Sequence, residues 1–296
     1  MIHDGFPELE GILAVGLAGA GSECFGYDDA ISQDHDFEPG FCIFVPDGAL
    51  DSRTLFRLER AYASLPKEYL GFERQPVSPV GGNRRGIILQ GDFLAARTGH
   101  RDGVLSPHEW MRLPEQYLFE AVGGEIFRDD AGAFSAARER LSQIPHDVRL
   151  KKIAGHLLLM AQSGQYNYPR AARRGDNMTS QLAAYEFAFH TAGALFSLAG
   201  RYMPYYKWRS RAMSELPLGE RLSDILEYLI TTDNDKKTSA VKAELMDDVA
   251  RIVTDELRSQ SLTEVSGYDL EHHAYSCNDK IEDTDIRNLN VLYAVD

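Results

Sequence analysis

A change of hydrophobic rhythm near Asp147 limits what this chain can fold into more than any other feature. Beyond that point apolar residues recur at helical spacing almost without interruption. "DVRLKKIAGHLLLMAQSG" sets Val148, Ile153, Leu157 and Met160 on one side and is expected to end at Gly164. "NMTSQLAAYEFAFHTAGALFSLAG" reads as a long, largely buried helix ending at Gly200. "PLGERLSDILEYLI" and "KTSAVKAELMDDVARIVTDELRSQ" are amphipathic, with charges on the outer face. Before Asp147 the pattern alternates. "GILAVGLAG" (11–19) and "FCIFV" (41–45) are apolar runs of strand length, the second stopped by the turn "PDG". "SRTLFRLERAYASL" is helical. After the loop "QPVSPVGGN", "RRGIILQGDFLA" is a third strand candidate; "SPHEWMRLPEQYLFEAVGGEIF" looks helical, stopped near Gly123–Gly124, and "FRDDAGAFSAARERLSQI" continues that habit. The pattern predicts an α+β chain: a mixed sheet with helices over residues 1–135, then an all-α bundle over 136–296.

The composition suits this plan. The 296 residues are 44% hydrophobic and 26% charged, enough for a core in each part. No apolar run reaches the roughly 18 residues of a membrane span, and "MIHDGFPELEG" lacks the basic-then-apolar pattern of a secretory signal. Cys24, Cys42 and Cys277 are odd in number and widely spaced, which fits buried thiols in a reducing cytoplasm rather than disulfides or a thiolate zinc site. A net charge of −14 argues against general binding to nucleic acid or to an anionic membrane. One window runs the other way. From Arg149 to Arg211 there are ten basic residues and only two acidic ones, Asp176 and Glu186. This stretch is either an anion-binding surface or a counterweight to the acidic first part of the chain.

The densest chemistry lies in "GAGSECFGYDDAISQDHDFEP" (19–39). Gly19, Gly21 and Ser22 follow an apolar strand, and such a turn lets backbone N–H groups and a hydroxyl approach phosphate oxygens. Asp34 and Asp36 are two apart, so on a strand both carboxylates share one face while His35 takes the other. Two adjacent like charges are costly unless a cation lies between them. Mg²⁺ accepts hard oxygen ligands of this kind, together with a substrate phosphate. Asp28 and Asp29 are expected to cap or solvate the turn, with Asp29 also placed to support the site from behind. The plain alternative for the whole stretch is a solvated acidic loop.

Gly21–Ser22 followed by Asp34-x-Asp36 resembles the signature of the polymerase-beta-like nucleotidyltransferase superfamily, which includes antibiotic nucleotidyltransferases and poly(A)- and CCA-adding enzymes. The blocks "GSECFGYDDAISQDHDFEPGFC", "GEIFRDDAGAFS", "DVRLKKIA", "AQSGQYNYPRAARRGD", "RYMPYYKWRSRAM" and "HAYS" look like an uncharacterised bacterial family that joins this catalytic domain to a helical domain of unknown function. Together they extend from about Gly16 to Ser276.

The resemblance implies attack by an acceptor hydroxyl on the α-phosphorus of a nucleoside triphosphate, with release of pyrophosphate. It implies Asp34 and Asp36 as ligands of Mg²⁺ or Mn²⁺, and Gly21 and Ser22 as triphosphate contacts. The third carboxylate of such enzymes usually stands on a neighbouring strand. Here "GIILQGDFL" has no acid at its centre, so Asp92 is the one candidate, either as that acid or as a turn residue after Gly91. From the helical part, Lys207 is the expected phosphate ligand, with Arg170 and Arg174 behind it and Tyr206 placed to stack on a base. The structural alternatives are a lysine lying along a helix start and an arginine pair answering Asp176. His272 and His273 are expected to be packed or solvated. The acceptor is expected to be a small molecule or a protein hydroxyl. The second reading is a non-catalytic nucleotide sensor on the same fold.

Overall fold

The computed structural model describes residues 1–32, 39–73 and 84–295. It divides into two compact units, Met1–Leu105 with Gln116–Gln143, and Ser106–Glu115 with Ile144–Asp296. The division therefore falls at Gln143/Ile144 rather than at 135/136, and a short segment around residue 110 belongs to the helical unit.

The first unit opens with helix α1 (Ile2–Gly5) and a 3₁₀ turn, Pro7–Leu9, ahead of strand β1 (Ala14–Leu17). Helix α2 (Ser22–Phe25), strand β2 (Cys42–Val45) and helix α3 (Ser52–Ala63) follow, then a small hairpin of β3 (Glu68–Tyr69) and β4 (Phe72–Glu73). Strand β5 (Gly86–Leu89) runs directly into helix α4 (Gln90–Thr98). After helix α5 (Pro107–Arg112), which lies in the second unit, come helix α6 (Glu115–Val122), strand β6 (Glu125–Asp129) and helix α7 (Ala133–Ser142).

The main sheet has the order β5-β2-β1-β6. Strand β2 pairs antiparallel with β1 (Gly16 opposite Cys42) and parallel with β5 (Cys42 opposite Gly86, Val45 opposite Leu89). Strand alternation gives the sheet two apolar faces. Val15, Ile43, Val45, Ile87 and Leu89 meet Phe6, Leu9, Leu58 and Tyr62 on one side. On the other, Phe44 stacks on Phe134 with ring centres 4.3 Å apart, and Phe93 packs edge-on against both. Each such ring removes apolar area worth roughly 1.5–3 kcal/mol from water, so α7 is held to the sheet through Phe134. That contact explains why the unit extends past residue 135. Arg138, one turn along α7, donates to the carbonyls of Ala121, Val122 and Gly123 at 3.0, 2.9 and 2.5 Å. It thereby satisfies carbonyls that the end of α6 leaves open.

The second unit is helical. It contains α8 (His146–Met160), α9 (Tyr168–Arg174), α10 (Asn177–Leu198), α11 (Tyr206–Ser214), α12 (Gly219–Thr231), α13 (Lys236–Ser259), α14 (Leu270–Asp279), α15 (Thr284–Asn288) and a last 3₁₀ turn, Val291–Ala294. Helix α8 is enclosed by α10, α14 and that final turn, which is why it is buried nearly all round. Gly164 does not end it. A π-helical segment, Ala161–Asn167, carries the chain from α8 into α9 without a break. Pro169, at the start of α9, has no N–H and its ring crowds the carbonyl four residues back, so an ordinary α-turn is disfavoured there. The wider turn takes up that conflict. Among the described residues no helix is long and apolar enough to cross a membrane.

Much of the basic window is spent inside this unit. Arg149 donates to the carbonyls of Ser197 and Leu198 at 2.7 and 2.8 Å, closing the end of α10. Lys151, fully buried, donates to Asn278 Oδ1 and the Leu289 carbonyl at 2.8 and 2.7 Å. Lys152 is buried against Glu115, Nζ to Oε1 2.9 Å. These three cations are structural, and the accessible remainder of the window begins at Arg170.

Candidate functional site

In the first unit, β1 ends at Leu17 and the chain turns through Gly19 (φ +125°) and Gly21 (φ +154°) into α2. Both torsions lie where a side chain would be strained. The turn is also crowded: the carboxylate of Glu23 folds back against Gly21, where a methyl group would come within 2.3 Å of Oε2. Glu23 in turn accepts from Arg85 Nη2 at 2.8 Å. Arg97, reaching from α4, lies beside Gly19, with its guanidinium 4.0 Å over the Phe93 ring and Nη1 donating to the Phe93 carbonyl at 3.0 Å. Two arginines thus stand at the glycine–serine turn. Neither was singled out from the sequence, because nothing local to Arg85 or Arg97 ties either one to the glycine–serine motif. The signal available was Arg84–Arg85 immediately ahead of the β5 run.

The turn stands at the end of the sheet where Cys42 and Gly86 begin β2 and β5, because β1 is antiparallel to β2 and Gly16 pairs with Cys42. Asp34 and Asp36, which precede β2, lie outside the described residues. Asp29 shapes the loop: its Oδ1 accepts from the N–H groups of Ile31 and Ser32 at 2.9 and 2.8 Å. Cys24 and Cys42 are buried beside the turn, and burial pushes the Cys24 thiol up to about 12 and raises Cys42 as well. Neither is a thiolate nucleophile.

Asp92 does not join this group. It lies in the first turn of α4, beyond the Val45–Leu89 end of the strands, whereas the glycine turn is beyond the Cys42–Gly86 end. Four-residue strands at about 3.3 Å per residue keep the two ends about 10 Å apart before any turn is added. Asp92 is instead paired with Arg101, which also bridges to Asp47 at 2.9 Å. Asp92 is thus held in an ion pair away from the glycine turn, while Asp34 and Asp36, its expected partners, lie outside the described residues.

In the helical unit the expected ligands fall into two groups. Tyr206 and Lys207 open α11 and are exposed; the Tyr206 ring lies 4.4 Å from that of Tyr205, and Lys207 Nζ is 5.1 Å from the Trp208 ring centre. Arg170 and Arg174 lie one turn apart on α9 and line a different feature, a cavity of about 470 Å³ between the π-helical segment and α10. Arg170 is stacked 3.5 Å over the Tyr166 ring. Opposite, Glu186 and His190 occupy successive turns of α10, with His190 Nε2 3.3 Å from Glu186 Oε2. His273 is packed, its ring nitrogens 3.1 Å from Thr263 Oγ1 and 3.2 Å from the Gly267 carbonyl, and His272 is solvent-exposed near Asp269. Among the described residues no group of three or more His, Cys, Asp or Glu side chains could hold a metal ion.

The profile of a family described as a domain of unknown function (DUF4037) matches residues 110–209. That stretch runs from α5 into α11 and contains every residue lining the cavity of the helical unit. Comparison with curated proteins and with solved structures gave no match.

Proposed function

We propose that the chain is a metal-dependent nucleotidyltransferase that moves a nucleoside monophosphate from a nucleoside triphosphate to a hydroxyl of a small molecule or protein and releases pyrophosphate. The observation that carries this reading is the turn at Gly19–Ser22. A strained glycine turn with a following serine hydroxyl, flanked by Arg85 and Arg97, is a set of donors suited to triphosphate oxygens. Strand β2 begins at that same end of the sheet, and Asp34 and Asp36 precede it in sequence. These carboxylates are the hard-oxygen donors that Mg²⁺ or Mn²⁺ takes. A bound ion would offset charge on the entering and leaving oxygens. Within this reading Gly21 and Ser22 hold the phosphates and Arg97 counters their charge. In the helical unit, Lys207 and Tyr206 are exposed at the start of α11 and have the chemistry of a phosphate and a base contact. Extension of nucleic acid is disfavoured, since Arg149, Lys151 and Lys152 are engaged internally and the net charge is −14.

The test is pyrophosphate release from each nucleoside triphosphate with Mg²⁺ or Mn²⁺. Asp34→Asn with Asp36→Asn is expected to abolish it while the melting temperature stays unchanged. An undiminished rate in the double variant would sink the assignment. A second reading, a nucleotide sensor without transfer, is supported by the engagement of Asp92 with Arg101 away from the glycine turn. A sensor binds nucleotide with metal and releases no pyrophosphate.

A further inference from the structure

We infer that the cavity of the helical unit is a second ligand site, independent of metal, for a small phosphomonoester bearing hydroxyl groups. Its size, about 470 Å³, falls in the range of small-molecule sites. Its chemistry is divided between two walls. On α9, Arg170 and Arg174 are exposed at the mouth, and among the described residues neither guanidinium has a hydrogen-bond partner. The stack of Arg170 on Tyr166 uses the face of the guanidinium and leaves its N–H edge for an in-plane anion. Two guanidiniums one turn apart suit the oxygens of one phosphate.

On α10, Glu186 is 55% exposed at the mouth and His190 is buried on the floor. A carboxylate only accepts hydrogen bonds, so the His190 Nε2–H points to Glu186. Burial lowers this imidazole to about 4, so the ring brings no charge into the cavity at neutral pH. Glu186 keeps a free oxygen for a ligand hydroxyl. It also opposes a more highly charged ligand, which favours a monoester over a triphosphate. The cavity thus pairs cationic donors for phosphate with an anionic acceptor for hydroxyls. A phosphorylated sugar has that combination, whether free or as the ribose phosphate of a nucleoside monophosphate.

The site is tested by calorimetric titration of the full chain in EDTA, with ribose 5-phosphate, adenosine 5′-monophosphate, inorganic phosphate and ribose as probes. At least one of the two phosphorylated probes is expected to bind, and which one does tells a free sugar phosphate from a nucleotide as the source. Inorganic phosphate is expected to bind more weakly and ribose not at all. Arg170→Gln and Arg174→Gln should each weaken the phosphorylated probe about tenfold or more. Glu186→Gln should weaken that probe without weakening inorganic phosphate. Absence of binding by both phosphorylated probes at millimolar concentration overturns the inference, as does binding unchanged in both arginine variants. Asp34→Asn with Asp36→Asn should leave this binding untouched, so failure of the transfer reaction and failure of this site are separate results.

Discussion

His156 and His190 meet Nδ1 to Nδ1 at 3.1 Å inside the helical unit. With the His190 Nε2–H committed to Glu186, its Nδ1 accepts and His156 Nδ1–H donates. The far side of the His156 ring lies so near Gly193 that a methyl group there would be 2.3 Å from Cε1. Both rings are buried, and desolvation takes His190 down to about 4 and holds His156 well below its ordinary range.

A pH dependence of stability follows. The unfolded chain protonates these histidines near 6.5, while the folded chain resists until far lower pH, so between the two values the unfolded state binds more protons. Stability is therefore full above about 6.5 and is lost as pH falls toward 4, by up to about 1.4 kcal/mol per pH unit for each ring. Urea midpoints at pH 7.5, 6 and 5 should decline accordingly. The decline should be shallower in His190→Gln, and equal slopes in the two proteins would refute the assignment.

Glu115 and Lys152 form a second sensitive point. Both are largely buried, and Met203 N–H also donates to Glu115 at 2.8 Å. Glu115→Gln leaves the Lys152 ammonium buried without its counter-charge and is expected to cost about 3–5 kcal/mol. Replacing both residues by methionine should cost less than the single change. Chemical denaturation of the three variants measures the difference.

Asp92→Asn is expected to leave any pyrophosphate release within about twofold of the parent, because Asp92 is at the opposite end of the sheet from the glycine turn and its ion pair with Arg101, whose side chain is 53% exposed, is worth little. A loss comparable to that of the Asp34 variant would return Asp92 to the site.

The three thiols should be inert in the native chain. All are buried, and Cys277, like Cys24, is pushed up to about 12. A thiol reagent at pH 8 should label them only on unfolding. Rapid labelling of any one in the folded protein would show that its burial is not maintained.

The α+β plan was legible in the sequence because short apolar runs bounded by turn residues mark strands, here β1, β2 and β5, while helical spacing beyond Asp147 marks helices. The long buried helix before Gly200 was legible for the same reason. Four features were not. Strand β6 (Glu125–Asp129) lies across two stretches read as helical, because its pairing with β1 is distant in sequence. Lys151 and Lys152 read as surface cations, since their partners Asn278, Leu289 and Glu115 are distant in sequence. Asp92 read as the end of a strand, and only the parallel pairing of β2 with β5 reveals which end of the sheet it occupies. Gly164 read as a stop, because glycine and proline signal a break but do not distinguish a break from a wider turn. In the candidate site, Gly21 and Ser22 were legible as a local motif, while Arg85 and Arg97 become neighbours of that motif only through folding.

The π-helical segment lets the chain carry one residue more than an α-helix of the same rotation. With its wider turns, seven residues wind about as far as six α-helical residues at about 100° each. Deleting one residue within Ala161–Asn167 would therefore let the segment close as ordinary α-helix and leave Arg170 and Arg174 on the same face. The same deletion between Arg170 and Arg174 would instead turn Arg174 by about 100° away from its neighbour. The cationic wall of this cavity thus tolerates a single-codon deletion before α9 and not one within it.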